Sequence, residues 1–316
     1  MKYLIRLSLL LLVAVSGAYG YLQFAFSEPD RPVQDLTDRW AKAPSQFLSL
    51  SGMQVHYRDE GPKEDPLPII LVHGTSASLH TWNGWTEVLS DHHRVIRFDM
   101  PGFGLTGPHP QSKYRIEDYA ETLIKLMDAK GIDSAIVAGN SLGGYVAWSA
   151  AVLYPERVAK LVLVDSSGYP FESDSVPIAF RIYSSPILKF LFGNIMPRSV
   201  VKSSLANVYG NPDKITEDLV DRYFELSTRE GNREALAKRF VETKAGKLAD
   251  RVSELTQETL IIWGDKDHLI PISSGHRFHR EIPNSQFKSF SDLGHVPHEE
   301  DPLATVQAVE KFLHSE

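Results

Sequence analysis

The chain has no cysteine in 316 residues. That excludes a disulfide framework, a thiolate metal centre and attachment to lipid through cysteine, and it fits cytoplasm and periplasm equally. Basic residues are not in excess: 33 Lys and Arg stand against 40 Asp and Glu, a net charge of −7. Nucleic-acid binding calls for a basic surface, so no nucleic-acid partner is expected. Internal repeats and low-complexity tracts are also missing. Long apolar runs are confined to one place, which excludes a multi-span membrane protein. What remains is of average globular make-up, 42% hydrophobic and 23% charged. The length fits two domains, or one α/β domain of ~250 residues carrying an insertion.

The single apolar run is N-terminal. Lys2 and Arg6 precede 20 uncharged residues, Leu7 to Phe26. Leu7 to Val15 reads as the core of a signal peptide, with small residues at Ser16-Gly17-Ala18 for cleavage. Extended to Phe26, the run is a helix of ~30 Å, enough to span a bilayer as an uncleaved anchor. The aromatic group Tyr19, Tyr21, Phe24 and Phe26 suits a membrane interface. A buried helix of a cytoplasmic protein is the third reading. The first two both predict export, either anchored in the inner membrane facing outward or periplasmic or secreted. The anchor, with the membrane as partner through this helix, is preferred. Without residues 1–26 the net charge moves from −7 to −9, because Lys2 and Arg6 leave and no acid does. Residues 27–45 are polar and proline-bearing and read as a tether.

From residue 46 strand-like and helix-like segments alternate. Phe47 to Leu50 and Met53 to Arg58 form a hairpin pattern around Ser51-Gly52. Apolar runs follow at Leu67 to Val72, Val95 to Phe98, Ala135 to Ala138, Leu161 to Val164, Leu260 to Ile262 and Phe287 to Phe290. Helical spacing joins Ile116, Tyr119, Ala120, Leu123 and Met127, and Leu142 to Leu153 is a further helix. The last helix starts at Asp301-Pro302 and carries Leu303, Val306, Val309 and Phe312 on one face. Continuous apolar strands alternating with helices predict an α/β fold, a mostly parallel central sheet flanked by helices. The rhythm breaks at 169–248, which reads as an inserted helical cap, leaving 46–168 and 249–316 as one core.

Gly139-Asn140-Ser141-Leu142-Gly143-Gly144 lies between a short apolar strand and a helix. A turn that tight strains the central residue, and glycines on either side remove side chains that would clash. The spacing predicts Ser141 as an exposed nucleophile at a helix N-terminus, where developing negative charge is favoured. A serine needs a base, and His295, just after the last strand, is the candidate; His298 competes. The orienting carboxylate is expected to be Asp267, after the preceding strand, with Asp265 and Asp165 as alternatives. The order Ser, Asp, His fits one particular hydrolase fold. Two backbone N–H groups should form an oxyanion hole, those of Leu142 and of Thr75 in the loop after Leu67 to Val72. His73 is expected to pack under that loop.

In these pieces, together with Asp99-Met100-Pro101-Gly102-Phe103-Gly104 and Gly294-His295-Val296-Pro297-His298, the chain from about Leu48 to Phe312 resembles the α/β-hydrolase superfamily, in its serine esterase and lipase-like branch. The resemblance implies a sheet of about eight strands, a helical cap after the sixth, a Ser141–Asp267–His295 triad, Asp99 as a turn residue, and neither cofactor nor metal. Serine at 141 speaks against haloalkane dehalogenases and most epoxide hydrolases, which resemble this chain but use aspartate there. Leu142 departs from the tryptophan of proline iminopeptidase-like enzymes. The oxyanion loop has one glycine after its histidine, unlike hormone-sensitive-lipase-like relatives. The expected function is hydrolysis of carboxylic esters of small to medium apolar acids through an acyl-enzyme. The alternatives are a carbon–carbon bond hydrolase of ring-fission products, which shares the Gly-Asn-Ser elbow, and a non-catalytic ligand-binding member.

Overall fold

A computed structural model describes residues 2–314. Helix α1 (Lys2–Phe26) is followed by α2 (Val33–Trp40) and then by the hairpin β1 (Gln46–Leu50) and β2 (Met53–Glu60). The core continues with β3 (Ile69–Val72), α3 (Asn83–Leu89), β4 (Val95–Phe98), α4 (Ile116–Ala129), β5 (Ala135–Asn140), α5 (Leu142–Leu153) and β6 (Val158–Val164). Five helices intervene: α6 (Ile178–Ser184), α7 (Pro186–Phe192), α8 (Arg198–Val208), α9 (Glu217–Ser227) and α10 (Asn232–Glu242). The chain then returns through β7 (Glu258–Gly264), α11 (Ile272–Glu281), β8 (Ser285–Phe290), α12 (Pro297–Glu300) and α13 (Pro302–Leu313).

The eight strands form one sheet in the order β1-β2-β4-β3-β5-β6-β7-β8. β1 and β2 pair antiparallel, as do β2 and β4; the other five pairings are parallel. Alternation along the strands feeds two cores. Ile70, Val72, Val137 and Leu163 face α4, α5 and α11, while Ile69, Leu71, Ile136 and Val162 face α3 and α13. Burial on both faces explains why β3 and β5 read as unbroken apolar runs. Strand β3 begins at Ile69 rather than at the expected Leu67, because Pro68 has no N–H to give to the ladder. At the hairpin, Ser51 and Gly52 both take positive φ, 52° and 81°, the geometry that joins two strands by two residues.

The expected tether at 27–45 is instead a packed strap. Leu36 of α2 is 2% exposed and packs with Leu105 and Leu226. Arg31 N–H donates to Thr228 O (2.7 Å), Glu230 N–H donates to Arg31 O (2.8 Å), and Asp30 pairs with Arg233 of α10. Two of the charges that made the segment look solvated, Asp30 and Arg39, have partners on α9 and α10, which ties the segment down. Helix α1 contains a 21-residue apolar stretch, Arg6–Phe26, that is long enough to cross a membrane and is not buried in the protein.

Candidate active site

The parallel strands end on one side of the sheet, and the candidate residues stand on the loops that leave those ends. Ser141 sits between β5 and α5 with φ 55° and ψ −115°, a strained conformation for a side chain-bearing residue. The fold holds it there: Ser141 N–H donates to Val164 O (3.0 Å), and Ser141 O accepts from Tyr145 N–H and Ser167 N–H. A Cβ on Gly143 would lie 2.0 Å from Val72 O, so only glycine lets α5 start this close to β3. A Cβ on Gly74 would lie 3.2 Å from the Ser141 Cβ, which shows how near the 73–78 loop passes to the serine. Thr75 of that loop lines the same cavity as Ser141 and His295. Leu142 is the first residue of α5, so its N–H belongs to the helix's unclaimed first-turn donors.

His295 Nδ1 and Asp267 Oδ2 are 2.7 Å apart and buried. Asp267 Oδ1 accepts from Leu269 N–H (2.8 Å) and Ile270 N–H (3.0 Å), so both of its oxygens are held. Asp267 therefore fixes one nitrogen of the ring and leaves Nε2 for the cavity. Of the competing residues, Asp265 is exposed. His298 lies outside this cavity, its ring 4.0 Å from that of Trp82 and its Nε2 3.1 Å from Thr81 Oγ1. Burial first, then the charges of His295 and Arg222, hold its pKa well below the ordinary histidine value, so it is a neutral packing residue.

Asp165 is also brought to the pair. Ligand-type atoms of Asp165, Asp267 and His295 lie within 4.8 Å of one another. Such a trio has the make-up of a metal site, but His295 Nδ1 and Asp267 Oδ2 are already joined to each other. Asp165 takes φ 43°, and its Oδ1 accepts from Gly264 N–H (3.0 Å). Burial, and then the charge of Asp267, raise its pKa well above the usual carboxyl range.

His73 donates from Nδ1 to Gly74 O (2.7 Å) and accepts at Nε2 from Met100 N–H (3.0 Å), which fixes its tautomer and ties the loop to the turn after β4. Asp99 organises that turn. It accepts from Leu79 N–H and Leu105 N–H and pairs with His56 Nδ1 at 2.7 Å. Burial opposes its ionisation, but His56, His73 and His80 together hold the carboxyl down at about 2.

Two supporting residues escape sequence reasoning. Asn140 Nδ2 donates to Val164 O (3.2 Å) and His295 O (2.9 Å), so the residue before the serine also holds the histidine loop. Glu300 is 5% exposed and accepts from Gly294 N–H (2.9 Å), Gly210 N–H (2.9 Å) and Asn211 N–H (2.7 Å). It thus binds the histidine loop to the segment after α8. The backbones approach so closely that a Cβ on Gly210 would lie 2.5 Å from Asp292 O. His295 N–H completes the seam by donating to Val208 O (2.7 Å). An acidic residue five positions after a candidate histidine is the one local hint of this role.

The cavity is roofed by α6 and α8–α10 through Ala179, Phe180, Val201, Leu205, Leu226 and Leu236, among others. Among the described residues, the one Lys or Arg on its wall is Arg233, whose Nε and Nη2 bond to Asp30 and whose Nη2 also bonds to Glu28 O.

The chain resembles known proteins over the same region. It is 30% identical to a 2-hydroxy-6-oxo-2,4-heptadienoate hydrolase of Pseudomonas putida, over 86% of this chain and 96% of the relative. A thermophilic esterase from Thermogutta terrifontis is similar in structure, with a TM-score of 0.70, 26% identity, and coverage of 86% of this chain and 98% of the esterase. A bacterial membrane phospholipase A shares the fold, with a TM-score of 0.74 at 22% identity, over 99% of this chain and 98% of its own. The family model described as alpha/beta hydrolase fold matches residues 68–302. Sheet order, elbow and family match agree, and the chain is a member of the alpha/beta hydrolase fold family.

Proposed function

We propose that the protein is a serine hydrolase that cleaves carboxylic esters of small to medium apolar acids. The observation that carries this reading is the convergence of Ser141, on its strained turn, with the buried His295–Asp267 pair at one apolar cavity. Ser141 Oγ attacks the ester carbonyl and gives its proton to His295 Nε2. Asp267 holds Nδ1–H and stabilises the imidazolium that forms. The N–H groups of Leu142 and Thr75 receive the oxyanion. His295 then passes the proton to the departing alcohol, and water releases the acid from Ser141 with His295 as base. No metal or cofactor takes part in this scheme.

The wall of the cavity supports an ester over an anionic substrate. Its side chains are mostly apolar, and Arg233 is already neutralised by Asp30. A second reading, carbon–carbon bond hydrolysis, is favoured by the 30% identical relative, whose named substrate is a dienoate. A dienoate carries a carboxylate and would bring a second anion to Arg233. The full-length protein in detergent should hydrolyse p-nitrophenyl butyrate, and Ser141→Ala should not. Equal inertness of the two refutes the ester reading; activity on a vinylogous diketone but on no ester establishes the alternative.

A further inference from the structure

Helix α7 has the sequence Pro-Ile-Leu-Lys-Phe-Leu-Phe, and its outer face is apolar and bare. Phe190 is 84% exposed and Ile187, one turn earlier, is 73% exposed. Its one charge, Lys189, is paired with Glu234 of α10. Ile178 on the adjoining α6 is 45% exposed. Four apolar side chains on two consecutive short helices, counting Leu188, are more than scattered surface leucines.

The position of this face relative to α1 says what covers it. Tyr19 Oη and Gln23 Nε2 both donate to Leu191 O, at 3.1 and 3.0 Å, so the end of α7 is fastened to α1. Glu28 N–H donates to Asn194 O (2.9 Å) just beyond. The membrane-length stretch of α1 ends at Phe26. At ~1.5 Å of rise per residue, Gln23 and Tyr19 lie about 5 and 10 Å before that end. An apolar helix face lying in a membrane interface is buried to ~5–10 Å. With α1 in a bilayer, α7 is therefore held at the depth where its apolar face belongs.

We infer that the outer face of α6–α7, led by Ile187 and Phe190, docks on the bilayer that α1 enters. The stretches on either side of α7 border the Ser141 cavity. Pro177, Ala179 and Phe180 of the α6 stretch line the Ser141 cavity, as does Met196 just after α7. On the ester reading above, this makes acyl esters of membrane-resident lipids the substrate class, with the acyl chain entering the apolar cavity from the lipid side. The alcohol leaves as the acyl group passes to Ser141 Oγ, and water then cleaves the acyl-serine, releasing the fatty acid and restoring the serine hydroxyl.

The absence of cysteine makes the test direct. Full-length Phe190→Cys and Leu303→Cys proteins carry one environment-sensitive fluorophore each and are reconstituted into phosphatidylcholine vesicles. Leu303 on α13 is an exposed control. The label at 190 should be quenched by nitroxide-bearing lipid and shielded from iodide, with the reverse at 303. Equal iodide quenching at both positions overturns the inference. Shielding from iodide without quenching by lipid also overturns it, because a second copy of the chain then covers the face. In a second arm, the Ile187→Asp, Phe190→Asp double variant should hydrolyse a long-chain ester held in vesicles about tenfold more slowly than wild type and p-nitrophenyl butyrate at the same rate. Equal rates on vesicles overturn the lipid-supply step. If wild type hydrolyses neither ester, the ester reading fails while the labelling result still decides the docking face.

Discussion

The elbow at 139–144 and the helices α6 and α8–α10 border one cavity, yet different physics determines them. The elbow is a backbone object. Its shape follows from where a Cβ cannot go, and Gly143 against Val72 O leaves no freedom. The cap is a side-chain object. Its helices are short, and what fixes them is long-range: Tyr145 Oη to Lys244 O and Lys247 O, Glu299 to Arg222 and Tyr223, Asp30 to Arg233. On the proposed function, chemistry falls on the backbone-determined part and selectivity on the part fixed by side chains.

Substitutions should separate the two regions by the kind of damage done. Ser141→Ala should lower ester turnover by about 10⁶-fold and leave the melting temperature near wild type, since only an oxygen atom is lost. Steady-state kinetics and thermal melts together check this; a drop of less than about tenfold would remove Ser141 from its role. Gly143→Ala should cost about 3 kcal/mol or more of stability, because the added carbon meets backbone that has nowhere to go. Denaturant unfolding measures it, and wild-type stability would refute the rigid elbow. In the cap, Phe180→Ala should keep the turnover number within a few-fold and shift preference toward bulkier acyl groups by about tenfold. A panel of p-nitrophenyl esters reads that shift, and an unchanged profile would mean that Phe180 does not face the acyl chain.

The smallest effect distinguishes two buried aspartates. Asp99 has its pKa depressed from 3.8 to about 2, so the stability it adds is present above the ordinary carboxyl value and is lost as pH falls through about 2. Asp165 is raised, so the sign reverses. Between 3.8 and its raised value the native chain holds a proton that the unfolded chain has released, and stability declines as pH rises through that window. Asp165→Asn keeps an acceptor for Gly264 N–H and should flatten this decline, with activity within about threefold of wild type. Melting temperatures across pH check the sign; parallel curves for wild type and variant would show that Asp165 is not a neutral acid in the native state.

Much of the core is legible in the sequence, because strands buried on both faces announce themselves as apolar runs and the elbow as a glycine pattern. The gathering of Ser141, Asp267 and His295 is legible only through their order along strands that share an edge. Other features are not written locally. The placing of β4 outside β3 needs the whole sheet. Helix α2 was hidden by its charges, and the partners of Arg39 lie about 180 residues away, at Asp218, Asp221 and Glu225. Helix α11 was hidden by Ser273-Ser274-Gly275, which reads as a loop. The glycine that argues against a helix is what admits it, for a Cβ there would lie 2.6 Å from the Trp263 ring. Glu300 is the same lesson for the site, since two of its three donors come from a stretch about 90 residues away.

The Glu300 seam has a consequence for how such a protein can be recombined. A cap is often pictured as a cassette, exchangeable between hydrolases to move a substrate range. Here the segment after α8 shares a buried carboxylate with the loop that carries His295, and Val208 O receives that histidine's own N–H. A foreign cap lacking the N–H pair at 210 and 211 would leave the buried Glu300 carboxyl with one donor instead of three. The unit of exchange is therefore the cap together with residues 292–300.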